Sequence, residues 1–209
     1  MADSNINIPL ADRMRPKSLD DFVGQEHLVG KGKPIRRMIE NKKVISMVLW
    51  GPPGTGKTTI ARIIARYIEA NFVSFSTVAG GGVQEVRRII AQAKKNFGLF
   101  QKLTVLFVDE IHRFNKTQQD AFLPYVEDGT ITLIGATTEN PGFEVIAPLV
   151  SRSQIYVLYA LDDQEIETIV KRAIKFYPKH RWEKEALTHF IKTSNGDART
   201  AINAVELAA

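Results

Sequence analysis

The octapeptide GPPGTGKT, Gly51–Thr58, constrains this chain more than any other stretch of it. An apolar run, Val44–Trp50, leads into it, and a segment with Ile60, Ile63, Ile64, Tyr67 and Ile68 at helical spacing leads out. Strand, glycine loop and helix in this order match the phosphate-binding pattern G-x-x-x-x-G-K-T. Glycines let the loop curl so that backbone N–H groups converge on phosphate oxygens, and the helix start adds the positive end of its dipole. Gly51, Pro52, Pro53, Gly54, Thr55, Gly56, Lys57, Thr58 and Thr59 are therefore the expected nucleotide-phosphate residues. Lys57 would hold the β and γ phosphates and the Thr58 hydroxyl a Mg²⁺ ion, which makes ATP and Mg²⁺ the expected ligands.

The rest of the chain continues the alternation. Strands are predicted over Val44–Trp50, Asn71–Ser76, Leu103–Asp109, Thr130–Ala136 and Gln154–Leu158, several of them nearly unbroken in apolar residues. Such runs suit parallel strands buried on both faces. Helices are predicted from Thr58 to Glu69, from about Val83, and from Lys116 to Glu127 with a kink or break at Pro124. Beyond Leu161 only helical periodicity remains, so a boundary is placed near residue 160. The fold class is α/β: a parallel five-stranded sheet of the P-loop NTPase type with flanking helices, residues 1–160, then a small helical domain, residues 161–209. The last segment, AINAVELAA, stops inside an apolar periodic run, so the helical domain is read as incomplete.

About fifty residues after the glycine loop, LTVLFVDE sets Asp109 and Glu110 at the end of a buried strand, where adjacent carboxylates are costly without a function. Asp109 would join Thr58 in holding the metal, and Glu110 would polarise the water that attacks the γ phosphate. Other chemistries are excluded by composition. With no cysteine there is neither disulfide nor thiolate chemistry, and the four histidines show no metal spacing. No apolar run approaches the roughly 20 residues that span a bilayer, and the N-terminus lacks signal-peptide regions, so the reading is cytoplasmic with no membrane partner. The net charge of +5 leans weakly towards a polyanionic partner.

Together GPPGTGKT and LFVDE resemble the AAA+ ATPases. By that resemblance GATTEN is a sensor segment on a strand between the two site-bearing strands, with Thr138 as the sensor and Asn140 as the alternative. LVSRSQIY resembles the Ser-Arg-Cys segment of clamp loaders, with Ser153 in place of the Cys, which makes Arg152 an arginine finger supplied to a neighbouring subunit. GDART resembles the lid motif in which an arginine, here Arg199, begins a helix and reaches back to the nucleotide. Read without the resemblance, these are also a polar turn, a surface arginine and a capped helix start.

Four stretches narrow the resemblance: PLADRMRPKSLDDFVGQEHLVG, DEIHRFNKTQQDAFLPYVEDG, ITLIGATTENPGFEV and GDARTAINAVE. They resemble the replication-associated recombination protein A family, RarA in bacteria, whose eukaryotic relative is the Werner-helicase-interacting protein. The resemblance implies an adenine pocket near Arg13, Pro16, Phe22, Val23, Gly24 and Gln25, with backbone contacts from Val23 and Gly24. It also implies a DNA-dependent ATPase of fork maintenance, recombination and repair, associated with the nucleoid. The implied partners are single-strand/duplex junctions or ends, single-stranded-DNA-binding protein and replication proteins. The full-length parent would be a homo-oligomer, a tetramer or a ring. A clamp-loader subunit that opens a sliding clamp is the alternative. Ser76 could restrain Glu110, and the loop TVAGGG, Thr77–Gly82, or the basic stretch with Lys31, Lys33, Arg36, Arg37, Lys42 and Lys43 could meet DNA or be plain solvated surface.

Overall fold

The computed structural model describes residues 8–76 and 82–209. Most of the TVAGGG loop, expected to address DNA, therefore lies outside the described residues. The chain divides into two compact units. One holds Glu26–Gly51 and Lys57–Leu158; the other holds the described part of Met1–Gln25, Pro52–Gly56 and Tyr159–Ala209.

The first unit is built on five parallel strands, β1 (Met47–Trp50), β2 (Asn71–Phe75), β3 (Thr104–Val108), β4 (Thr132–Thr137) and β5 (Gln154–Val157), in the order β2-β3-β4-β1-β5. The central strands are the continuous apolar runs: every residue of β3 is buried, and so are Met47, Val48 and Leu49 of β1. The edge strands β2 and β5 are only partly covered. Helix Lys57–Tyr67 packs on β2, β3 and β4, and helix Val83–Phe100 packs on β3. Phe75, Ile90, Leu106, Phe114 and Phe122 share one core cluster. A fully buried phenylalanine such as Phe122 contributes about 1.5–3 kcal/mol by leaving water.

Two details correct or refine the sequence expectation. The segment expected as a helix kinked or broken at Pro124 is broken, into Lys116–Asp120 and Leu123–Glu127. Pro124 has no N–H to give the Asp120 carbonyl and its ring crowds that position, so the first helix stops there and the proline sits in the first turn of the second. At the amino edge of the sheet Ser46 is buried but satisfied. Its hydroxyl accepts from the Leu133 N–H at 3.0 Å and its carbonyl from the Gln154 N–H at 3.0 Å.

The second unit is helical and is drawn from three parts of the sequence. Helices Asp163–Ile174, Lys184–Thr193 and Ala198–Ala208 close over Leu161, Ile166, Val170, Ala201 and Val205, and fully buried Leu10 from the N-terminal helix Leu10–Arg13 joins them. The Leu10 N–H donates to Glu206 Oε1 at 2.9 Å, the Arg13 guanidinium lies 5.3 Å from the Phe176 ring centre, and Arg172 donates to the Asp21 carbonyl. Asp162 and Glu165 form a reciprocal capping box at the start of the first long helix. The division does not follow chain order: the N-terminal segment and the glycine loop go with the C-terminal helices.

Candidate active site

In a parallel sheet the carboxyl ends of the strands share one edge, and chemistry collects where the strand order reverses. Here β4 lies between β1 and β3, with Trp50 opposite Thr137 and Val108 opposite Gly135. The end of the glycine-loop strand and the end of the acidic strand thus flank the end of the sensor strand, as expected from GATTEN.

At the end of β1 the Gly51 N–H donates to the Thr137 carbonyl at 3.1 Å, and a Cβ on Gly51 would stand 2.2 Å from the Leu158 carbonyl oxygen. No side chain fits there. The chain then makes the loop Pro52–Gly56, in which Thr55 donates to the Pro52 carbonyl at 2.9 Å. Gly54 and Gly56 have φ of +69° and +97°, a region that glycine enters without strain. Added Cβ atoms would meet Asp197 Oδ1 at 1.9 Å and the Phe22 ring at 2.5 Å, so both glycines are also required by close approach. At Lys57 the helix begins. The first N–H groups of any helix lack intrahelical acceptors, and here they belong to Lys57, Thr58, Thr59 and Ile60. Lys57 and Thr59 are buried and Thr58 is half-buried; Lys57 Nζ donates to the Gly51 carbonyl at 2.6 Å.

Asp109 follows β3 directly, its N–H donating to the Phe75 carbonyl of β2 at 3.1 Å. Asp109 Oδ1 accepts the Glu110 N–H at 3.2 Å. Glu110 has φ +50° and ψ +49°, a left-handed conformation that costs a non-glycine residue roughly 1–3 kcal/mol. Strain of this kind persists where the surroundings over-determine it, and here the turn Ile111–Arg113 folds back at once. It brings His112 Nε2 to 3.2 Å and Arg113 Nε to 3.9 Å from Glu110 Oε2. The other ring nitrogen, Nδ1, lies 3.0 Å from the hydroxyl of fully buried Thr137. Neither His112 nor Thr137 stands out in the sequence; the only signal is a histidine two residues beyond an acid that ends a strand. Ser76, one residue past β2, is half-buried at the same sheet edge.

Thr138 is half-buried immediately after β4, whereas its alternative Asn140 caps helix Pro141–Glu144, its side chain accepting from the Gly142 N–H at 2.9 Å. Arg152 is placed apart from all of these. It precedes β5, whose first residue pairs with Met47 at the amino end of β1, so a strand length, roughly 10 Å or more, separates it from the loop edge. Its guanidinium is 2.7 Å from Glu127 Oε1 and donates to the Pro148 carbonyl at 3.0 Å and the Ser151 hydroxyl at 3.1 Å. Glu127 is a partner that sequence reasoning missed.

Within the helical unit, Asp197 caps helix Ala198–Ala208, Oδ1 accepting from the N–H groups of Arg199 at 2.8 Å and Thr200 at 3.0 Å, and the Ala198 N–H reaches the Gly54 carbonyl at 3.3 Å. Exposed Arg199 therefore starts one residue from a direct tie to the glycine loop. Half-buried Val23 and Gly24 lie in the same unit. Gly24 has φ +83°, and a Cβ there would meet Leu161 at 2.4 Å. The Gln25 amide pairs with the Tyr159 backbone in both directions, at 2.7 and 3.0 Å.

The donor chemistry fits Mg²⁺. Thr58 and Asp109 offer hard oxygen atoms, and among the described residues no group of three or more His, Asp and Glu forms a full metal cage. Magnesium is commonly held by one or two protein oxygens together with phosphates.

Several known proteins are similar to this chain. Residues 47–161 match the family model described as ATPase family associated with various cellular activities (AAA). The chain is 50% identical over 206 residues to Replication-associated recombination protein A of Haemophilus influenzae, covering 95% of this chain and 46% of the relative. It is 48% identical over 207 residues to the Escherichia coli K12 protein of that name, covering 96% and 46%, and 40% identical to ATPase WRNIP1 of Dictyostelium discoideum, covering 96% and 23%. It thus spans about half the length, or less, of these curated relatives. Among solved structures the Thermotoga maritima RuvB Holliday junction branch migration motor superposes with a TM-score of 0.75 at 33% identity, covering 92% of this chain and 64% of that one. With its glycine loop, its acidic strand end and a match running from β1 to Leu161, the chain belongs to the AAA family of ATPases.

Proposed function

We propose that this chain is the ATP-hydrolysing module of a DNA-acting AAA+ ATPase of replication-fork maintenance, recombination and repair. The observation that carries the reading is the convergence of the Gly51 end of β1 and the Asp109–Glu110 end of β3 on the two sides of Thr137 and Thr138. In the reaction the backbone N–H groups of Gly54–Thr59 and the Lys57 ammonium bind the phosphates of ATP. Thr58 and Asp109 would hold Mg²⁺, which neutralises developing phosphate charge when bound. Glu110 accepts a proton as the water oxygen bonds to the γ phosphorus and the bond to the β,γ-bridging oxygen breaks, giving ADP and phosphate. Thr138 orients that water, Arg199 from the lid contacts the phosphates, and Val23 and Gly24 face the adenine with their backbone.

Arg152 acts on a neighbouring subunit, since in its own chain it stands at the other edge of the sheet. The assembly is accordingly a homo-oligomer, a tetramer or a ring. DNA junctions or ends are the substrate, met in company with single-stranded-DNA-binding protein and replication proteins in the cytoplasm at the nucleoid. The likeness to proteins named for recombination and branch migration favours this over a clamp loader. Among the described residues no helix is long and apolar enough to cross a membrane. The test is ATP turnover measured without DNA and with single strands, blunt duplexes and forks. Stimulation by forked or single-stranded DNA is expected, and turnover indifferent to every DNA would refute the DNA-acting part.

A further inference from the structure

The geometry points to His112 as a positioning residue that ties the catalytic carboxylate Glu110 to the end of the sensor strand through Thr137. The inference rests on the reading of Glu110 as the proton acceptor. Its basis is a count of donors and acceptors. The Thr137 hydroxyl oxygen accepts the Glu139 N–H at 2.9 Å, and its single hydrogen has two acceptors within reach: the Glu139 carbonyl at 3.1 Å and His112 Nδ1 at 3.0 Å. If that hydrogen goes to Nδ1, the imidazole carries its own hydrogen on Nε2. If it goes to the Glu139 carbonyl, Nδ1 must donate to the hydroxyl, and Nε2 can face a carboxylate at 3.2 Å without repulsion only as a second donor. In both arrangements Nε2–H points at Glu110 Oε2.

Glu110 needs such a holder. Its backbone is in the left-handed region, it follows the last residue after β3, and its other neighbour, Arg113 Nε, stands 3.9 Å away on a largely exposed side chain. Thr137 is fully buried and is the last residue of β4, hydrogen-bonded through its carbonyl to Gly51 at the entry to the glycine loop. The line Gly51, Thr137, His112, Glu110 therefore joins the two halves of the site through one backbone bond and two side-chain bonds. A displacement of β4 is passed to the carboxylate, and a carboxylate out of line by an ångström loses much of its catalytic value.

The test separates the two ring nitrogens. In His112→Asn the side-chain amide reaches only the Nδ1 position, so the bond to Thr137 can be kept and that to Glu110 is lost. In His112→Gln the longer side chain carries its amide to the Nε2 position and can still donate to Glu110. ATP turnover of His112→Asn should fall by about tenfold or more, with nucleotide affinity within about twofold, while His112→Gln recovers to within about threefold of the parent. Equal losses in the two variants, tracking their melting temperatures, would reveal a merely structural histidine and overturn the inference. So would unchanged turnover in His112→Asn. Independently of turnover, the ¹⁵N resonances of the His112 ring should show a hydrogen-bonded Nε2–H in the parent that shifts in Glu110→Gln and in Thr137→Val; a ring indifferent to both also overturns it. Glu110→Gln tests the reading underneath. If that variant hydrolyses ATP normally, the assignment of Glu110 fails; if it is inactive and His112→Asn is normal, only the role of His112 fails.

Discussion

Lys57 and Glu110 are asked to do separable things. Lys57→Ala removes a buried cation; in the proposed role its charge-assisted bonds to phosphate would be worth about 1.5–3 kcal/mol each, so ATP affinity should drop by roughly 10- to 100-fold or more in a direct binding titration. Glu110→Gln keeps shape and loses proton affinity; it should bind ATP within a few-fold of the parent and turn over about 10²–10⁴ times more slowly. Arg152 poses the opposite case. Its pair with Glu127 has both side chains more than 40% exposed, and exposed pairs contribute about 0–1 kcal/mol, so release towards a neighbour costs little. Glu127→Gln should accordingly move the melting temperature by less than about 4 °C, and a larger drop would mark the pair as structural. Sequence reasoning nominated residues whose chemistry is written in a local motif. It missed His112, Thr137 and Glu127, whose partners lie 2, 25 and 25 positions away and are brought near only by a turn, a strand register and a helix end.

The elements themselves were legible where one local property decides them. The five strands appear within three residues of their expected ends, the central three because a run buried on both faces needs no alternation to be recognised. Helix starts were marked by caps, Asp162 and Asp197 among them. The break at residues 121–122 was harder, since a proline nine residues beyond the capping Asn115 is compatible with a kink or a new helix until packing chooses. Asp197 offers a test at this scale. Asp197→Ala deprives Arg199 and Thr200 of their N–H acceptor and should cost about 0.5–2 kcal/mol in urea unfolding, with Asp197→Asn recovering most of it. Because the same residue packs on Gly54, nucleotide affinity should fall in Asp197→Ala beyond what the stability loss accounts for. Unchanged affinity would separate the cap from the glycine loop.

At the scale of the molecule, a finger in trans makes a prediction that no single chain can meet. Arg152→Ala and Lys57→Ala proteins, each nearly inactive, are mixed at concentrations where they co-assemble. Interfaces pairing an intact glycine loop with an intact Arg152 should restore part of the activity, because arginine fingers contribute on the order of 10³–10⁵ in rate. No recovery despite co-assembly would count against the trans assignment. The path of the chain was the least legible feature, for nothing local in PLADR announces that Leu10 will be buried against Val205 and its neighbours. The backbone changes unit at Gln25–Glu26, Gly51–Pro52, Gly56–Lys57 and Leu158–Tyr159. Neither unit can therefore be inherited as a cassette. A gene fusion that swapped residues 159–209 for those of a relative would leave Leu10, Gly24 and Gly54 facing foreign side chains, so the glycine loop and the C-terminal helices can diverge only in step.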